Sequence, residues 1–133
     1  MICFDNSVFS RYASRQSYPD VDRYLRDHSS ERWLLPSMVL FEYLREYSVH
    51  SAIQTKRGSA EASVDKVVDM DADVAEEAAN IDARLSAANT SLDVADLLIA
   101  ATARANGATL TTRDKNDFDK SPIRELVGVD IID

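Results

Sequence analysis

The sequence predicts an α/β fold, a single domain over residues 1–133 with a mostly parallel central sheet flanked by helices. Short apolar runs at 2–4, 33–35 and 108–112 are typical of buried strands. Helical patterns separate these runs, and such alternation favours parallel strands joined by helical crossovers. A chain of 133 residues without internal repeats or a long Pro/Gly/Ser linker is long enough for one domain with its own core.

Composition narrows the class of protein. The 15 basic and 23 acidic residues give a formal charge of −8, which argues against passive binding along a nucleic acid backbone. The net negative charge does not exclude a nucleic acid substrate that is held through a metal and a few local Arg or Lys side chains. No apolar run approaches the roughly 20 residues of a membrane span. The single Cys3 forms no internal disulfide, and Asp5 follows Met1 too closely for a signal peptide, so we expect a cytoplasmic protein.

The first half of the chain predicts two strands and three helices. The strand at 2–4 ends at Asp5, and the strand at 33–35 is stopped by Pro36. Ser37 is a good N-cap for the third helix. The helices are predicted from residue 8 to about 12, from 19 to about 28, and from 38 to about 50.

The second half begins with a polar stretch at 54–63, which indicates a loop or a frayed helix. A short strand is predicted at 67–68, then a long helix capped by Asp71 or Asp73 that reaches about Ala88. After the strand at 108–112, a short turn or helix holds residues 117–118. The last predicted strand, within 127–132, is short and terminal and is therefore placed at a sheet edge. The apolar face of the long helix comprises Val74, Ala78, Ile81 and Leu85.

The stretch 91–103 is almost wholly small or apolar, which predicts a helix buried on most sides. Ser91 is its predicted N-cap, and Gly107 follows its last turn. Asp93 and Asp96 are three residues apart and share a face. Asp93 has an ordinary explanation as a first-turn acid that favours the helix dipole. Asp96 lies deeper, where an ionised carboxylate is costly unless a cation lies beside it.

Four acids lie where the direction of the chain favours their meeting at the carboxyl edge of a parallel sheet. Two follow strands, one is in the second turn of the helix after the second strand, and one is early in the central helix. They are Asp5, Glu42, Asp96 and Asp114. Clustered carboxylates raise each other's pKa unless a cation lies between them. Carboxylate oxygens suit Mg²⁺ or Mn²⁺, and no His or Cys has the spacing of a zinc site. A metal held this way orients a water for attack on a phosphodiester.

The order and spacing of several segments resemble the PIN-domain ribonucleases, specifically VapC-type toxins of toxin–antitoxin pairs. The segments are 1–8, 37–44, 96–103, 110–114 and 117–118, which together span nearly the whole chain. The resemblance implies a PIN fold and a Mg²⁺- or Mn²⁺-dependent endoribonuclease that hydrolyses RNA. It also implies a cognate antitoxin and a homodimer.

By the same resemblance, the acidic quartet Asp5, Glu42, Asp96 and Asp114 binds the metal. Auxiliary roles fall to Asp93, Asp117, Thr112 and Asn6. One departure concerns the residues after the first strand, where the family usually has Asp-Thr-Asn and this chain has Asp5-Asn6-Ser7. The hydroxyl has moved by one position, which leaves open whether Asn6 or Ser7 supports the site.

Each acid also has an ordinary structural explanation. Asp5 has the position of a strand-end turn former, and Glu42 that of a solvated helix residue near Arg45 and Glu46. Asp114 has two adjacent cations with which to pair at the surface. Asp93 is better explained as a helix-start acid, and Asp117 as a cap before Phe118.

Two other functions compete with the nuclease. A phosphatase with Asp5 as covalent nucleophile is expected to carry a second Asp at position 7, where this chain has Ser7. A catalytically degenerate PIN-like protein would act as a metal- or antitoxin-binding regulatory module. Metal binding without turnover of any RNA distinguishes this last alternative.

Overall fold

The computed structural model describes residues 1–133 and contains one five-stranded sheet. All four strand pairs are parallel, in the order β3-β2-β1-β4-β5, which confirms the predicted α/β class. The strands are β1 (Ile2–Phe4), β2 (Trp33–Pro36), β3 (Lys66–Val68), β4 (Thr109–Thr112) and β5 (Val129–Ile131).

Eight helices connect the strands. They are α1 (Asn6–Tyr12), α2 (Pro19–Asp27), α3 (Ser37–Leu44), α4 (His50–Ser63), α5 (Ala72–Ala87), α6 (Val94–Ala105), α7 (Lys115–Phe118) and α8 (Ser121–Arg124). The chain adds strands outward from β1 to β3, then returns to the other side of β1 to add β4 and β5. The order therefore reverses between β1 and β4, and at such a point a crevice opens beyond the carboxyl ends of the strands.

The core is built where the sequence predicts it. All three residues of β1 are buried, as are Leu110 in β4 and the predicted apolar face of α5. Removal of this apolar surface from water is the main force that holds the helices against the sheet. No helix combines the length and apolarity that a membrane span needs.

The helix α6 lies at the centre of this core, as predicted, with residues 99–103 buried. It begins at Val94, and Asp93 rather than Ser91 caps it, since Asp93 Oδ1 accepts the Asp96 N–H at 2.9 Å. The prediction for Ser91 was wrong because two cap-competent residues lie close together and the carboxylate has the suitable position. Gly107 follows the helix at φ 64°, a conformation that glycine adopts without strain.

The region 37–63 departs most from prediction. The third helix ends at Leu44 rather than near 50, because the chain turns there and the Tyr47 N–H bonds the Leu44 carbonyl at 3.0 Å. Ser37 is the first helical residue, not the cap, and Pro36 takes the cap position. The polar stretch 54–63 is helical and forms most of α4.

The ends of the remaining elements differ little from prediction. The first helix begins at Asn6, directly after Asp5, and Asp71 caps α5. The strand β5 lies at a sheet edge as predicted, and the short helix α8 before it was not predicted.

Candidate metal centre

Two carboxylates lie at the point where the strand order reverses. Asp5 directly follows β1 and caps α1, while Asp114 follows β4 and caps α7. Because β1 and β4 are adjacent and parallel, their carboxyl ends lie side by side. The Asp5 N–H bonds the Thr111 carbonyl at 3.2 Å and so continues the ladder to the site.

Asp5 is 5% exposed, and its carboxylate is held by hydrogen bonds on both oxygens. Oδ1 accepts from the Ser7 hydroxyl at 2.6 Å and from the Val8 N–H at 3.2 Å. Oδ2 accepts from the Thr112 hydroxyl at 2.5 Å. Burial raises the pKa of Asp5, and these hydrogen bonds, which favour the charged form, act in the opposite direction.

Asp96 belongs to a second group of carboxylates at the same crevice. Asp96, Asp114 and Asp117 each offer an oxygen within 4.8 Å of the others. Burial, followed by the charges of Asp93, Asp117, Asp114 and Asp5, raises the pKa of Asp96 to about 7. None of these acids takes part in an ion pair of the chain. Their mutual repulsion is therefore not relieved by any Lys or Arg.

Glu42 approaches the crevice from α3 and is half-buried. Its pKa is raised by burial and then by the charges of Asp5 and Asp93, with Arg45 acting to lower it. The structure thus brings Glu42 within electrostatic range of two other acids of the site. Of the predicted quartet, Asp96 and Asp114 lie within ligand distance of each other, together with Asp117. Asp5 and Glu42 lie outside this group: the charge of Asp5 acts on Asp96 and on Glu42.

The ordinary explanations hold for some of these acids and not for others. Asp93 is the exposed N-cap of α6, as predicted for a helix-start acid. Asp114 does not pair with its two neighbouring cations, which bond to Asp20 and Asp133 instead.

The predicted cap role of Asp117 was wrong. Asp114 caps α7, and Asp117 supplies the N–H that Asp114 Oδ1 accepts at 3.0 Å. The pKa of Asp117 is raised first by its side-chain hydrogen bond with Asp114 and then by burial. The Asp117 side chain is thereby free to face Asp96 and Asp114.

Asn6 and Ser7 differ in their hydrogen bonds to the site. Asn6 Oδ1 is buried without a hydrogen-bond partner. Ser7, whose role the sequence left open, contacts both Asp5 and the strand end at Arg113. The only sequence signal for Ser7 was a hydroxyl two residues after the first acid.

The donor set fits a hard divalent cation. Every candidate ligand is a carboxylate oxygen, which Mg²⁺ and Mn²⁺ prefer, and neither His28 nor His50 belongs to the cluster. Burial and the Asp5 charge raise the pKa of the Cys3 thiol far above its usual range, so Cys3 is an inert core residue.

The profile of the PIN domain family matches residues 2–122. The chain belongs to the PIN-domain family. No curated protein matches it significantly. Its PIN fold is similar to that of VapBC2 from Rickettsia felis bound to a promoter DNA fragment, at 20% identity and a TM-score of 0.77, with 100% of both chains covered.

Two structures from Mycobacterium tuberculosis share the PIN fold. VapBC-5, a member of the VapBC family of toxin–antitoxin systems, is 25% identical at a TM-score of 0.62, with 98% of this chain and 95% of that chain covered. VapC20, described as a sarcin–ricin loop cleaving toxin, is 17% identical at a TM-score of 0.65, with coverage of 87% and 92%.

Proposed function

We propose that this PIN domain is a metal-dependent endoribonuclease, the toxin of a type II toxin–antitoxin system. The observation that supports the proposal is the group of Asp96, Asp114 and Asp117 carboxylates, which lie within 4.8 Å of one another and take part in no ion pair. The charge of Asp5 acts on Asp96, and Glu42 lies within electrostatic range of Asp5. Such a cluster is costly in a metal-free protein and is favourable around a divalent cation.

Asp5, Asp96, Asp114 and Glu42 would hold Mg²⁺ or Mn²⁺, with Asp117 and Asp93 as auxiliaries. When bound, the ion supplies an activated water and charge neutralisation at a phosphodiester. The protein contributes the orientation of its ligands through the hydrogen bonds to Asp5. Glu42, whose pKa is raised by burial and neighbouring charges, is suited to accept a proton from the attacking water.

RNA is the proposed substrate because of the fold shared with VapC20, which is described as a cleaving toxin of the sarcin–ricin loop. The −8 charge of the chain requires a local cation where the RNA backbone approaches. Arg45 is suited to this role, since its charge acts on Glu42 and it takes part in no ion pair.

An antitoxin is the proposed protein partner, by analogy with VapBC2 and VapBC-5. A groove of about 400 Å³ between α3 and α4 offers a docking surface. Phe41, 56% exposed, is one of its apolar residues, and Arg45, which takes part in no ion pair, suits an acidic partner segment. The lining comprises Ser37, Leu40, Phe41, Leu44, Arg45, Ile53 and Arg57. A homodimer stays a prediction from the resemblance.

The direct test is an RNA cleavage assay with Mg²⁺ or Mn²⁺ on the wild type, Asp5→Asn and Asp96→Asn. Asp82→Asn, on the exposed side of α5, is the matched control for loss of one acid. We expect cleavage by the wild type and the control, and cleavage lowered by roughly two to three orders of magnitude in the two site variants. Equal cleavage by all four proteins would contradict the proposal. Metal binding by a wild type that cleaves no RNA would favour the binding-module alternative.

A further inference from the structure

Two hydroxyl groups lie on either side of the Asp5 carboxylate and are arranged alike. Ser7 Oγ donates to Asp5 Oδ1 at 2.6 Å, and Thr112 Oγ1 donates to Asp5 Oδ2 at 2.5 Å. The two hydroxyl oxygens are 3.4 Å apart. One hydroxyl comes from α1 and the other from the end of β4, so the carboxylate is held from two elements distant in sequence.

Backbone N–H groups fix the direction of both hydroxyl hydrogen bonds. Ser7 Oγ accepts from the Arg113 N–H at 2.9 Å, and Thr112 Oγ1 accepts from the Asp114 N–H at 2.9 Å. Because an N–H is only a donor, each hydroxyl keeps its own proton for the carboxylate. The connection from β4 to α7 therefore orients both hydroxyls toward Asp5.

The donors leave Asp5 with little free acceptor capacity. A carboxylate has about four lone-pair positions, two on each oxygen. Oδ1 already accepts from Ser7 and from the Val8 N–H, and Oδ2 accepts from Thr112 alone. The remaining position is on Oδ2.

We propose that Ser7 is a positioning residue, which together with Thr112 orients Asp5 so that Oδ2 is its single ligand atom for the divalent cation. Ser7 occupies Oδ1 with its hydroxyl hydrogen bond and joins Asp5, which follows β1, to the residue after β4 through the Arg113 N–H. Asn6 does not replace it, since no hydrogen bond joins the buried Asn6 Oδ1 to the site. The effect on catalysis rests on the proposed nuclease function, and the effect on metal affinity does not.

The test compares Ser7→Ala, Ser7→Thr and Ser7→Cys with Ser10→Ala, the same change one turn further along α1. Calorimetry with Mn²⁺ alone measures affinity, and thermal unfolding checks that each variant is folded. We expect Ser7→Ala and Ser7→Cys to bind Mn²⁺ roughly 10-fold more weakly, a typical effect of losing a residue that orients a ligand. Ser7→Thr restores the hydroxyl and the affinity, and Ser10→Ala matches the wild type.

RNA cleavage gives the second readout. We expect Ser7→Ala to lower kcat with little change in KM for RNA, because the hydroxyl contacts of Ser7 are with Asp5, Thr112 and the Arg113 N–H. Wild-type Mn²⁺ affinity in folded Ser7→Ala and Ser7→Cys would overturn the proposal, as would a Ser7→Thr variant as weak as Ser7→Ala. A wild type that binds Mn²⁺ but cleaves no RNA would refute the nuclease function alone, and the affinities would still decide the role of Ser7.

Discussion

The carboxylates on the two sides of the acidic crevice differ in how their charge is stabilised by the protein. On the β1 side, Asp5 is almost fully buried and accepts three hydrogen bonds from its own protein. On the α6 side, Asp96, Asp114 and Asp117 face one another without a cation. The pKa of Asp96 is raised to about 7 by burial and by the other acids.

This difference indicates which ligands of the site are preorganised in the metal-free protein. The Asp5 side is organised by hydroxyl and backbone donors and contributes a fixed ligand. On the Asp96 side, repulsion between the carboxylates raises the free energy of the metal-free protein. A bound divalent ion would therefore stabilise these acids more than it stabilises Asp5. Substitutions on the two sides should therefore have similar effects on activity and opposite effects on stability.

The largest expected effect is loss of RNA cleavage in Asp96→Asn and Asp5→Asn. Each change removes a negative ligand, and we expect kcat to fall by roughly two to three orders of magnitude, typical for loss of charge stabilisation in the transition state. Cleavage rates at saturating Mg²⁺ measure the loss. Rates within threefold of the wild type in either variant, a bound set by the ordinary spread of neutral substitutions, would remove that acid from the site.

Stability of the metal-free protein should separate the two variants. Asp5→Asn places an amide NH₂, which is a donor, against the hydroxyl and N–H donors that bond Asp5. We expect the lost or unsatisfied buried hydrogen bond to lower the free energy of unfolding by about 1–3 kcal/mol. Asp96→Asn removes repulsion and should raise the Tm at pH 8. Thermal unfolding in the presence of a chelator measures both. A parallel fall in Tm for the two variants would show that the two sides do not differ as described.

The stability of the metal-free protein should also depend on pH through Asp96. The pKa of Asp96 is about 7 in the folded protein against an ordinary value of 3.8, so the folded state binds the extra proton between these pH values. The contribution to stability is complete below pH 3.8 and is lost as pH rises through 7. The Tm of the metal-free wild type should fall from pH 5 to pH 8 relative to Asp96→Asn. Identical pH profiles of the two proteins would refute this assignment.

The smallest expected effect belongs to Asp117→Asn. Asp117 is close to Asp96 and Asp114 but is less buried than Asp5, so we expect Mn²⁺ affinity to fall by roughly tenfold or less. Its removal also relieves the repulsion on Asp114, and Asp82→Asn, the loss of an exposed acid on α5, is the control. A loss of affinity as large as that of Asp96→Asn would make Asp117 a principal ligand.

Much of this arrangement was predictable from local sequence. Apolar runs specified β1 and β4, and an acid directly after each strand placed Asp5 and Asp114 at the crevice. Asp96 was evident because it interrupts an apolar helix. The parallel order of the sheet then made their meeting an expected result of topology.

The remainder depends on contacts between distant residues. Nothing local shows that the Ser7 hydroxyl meets the Arg113 N–H, since the two residues are 106 positions apart. The end of α3 at Leu44 carries no Gly or Pro signal, and the turn is stabilised by packing of Tyr47 on Tyr43. Asp117 was misassigned because the choice between a cap and a site acid depends on which carboxylate reaches the helix end.

The central claim is that acids from separate elements form one divalent-cation site at the point where the strand order reverses. A crystal structure with Mn²⁺, with the ion located by its anomalous scattering, tests this most directly. We predict a peak bounded by Asp5 Oδ2 and by the carboxylates of Glu42, Asp96 and Asp114, with Asp117 beside them. A fully soaked crystal with no peak in the crevice, or with Mn²⁺ only at other acidic surfaces, would contradict the account.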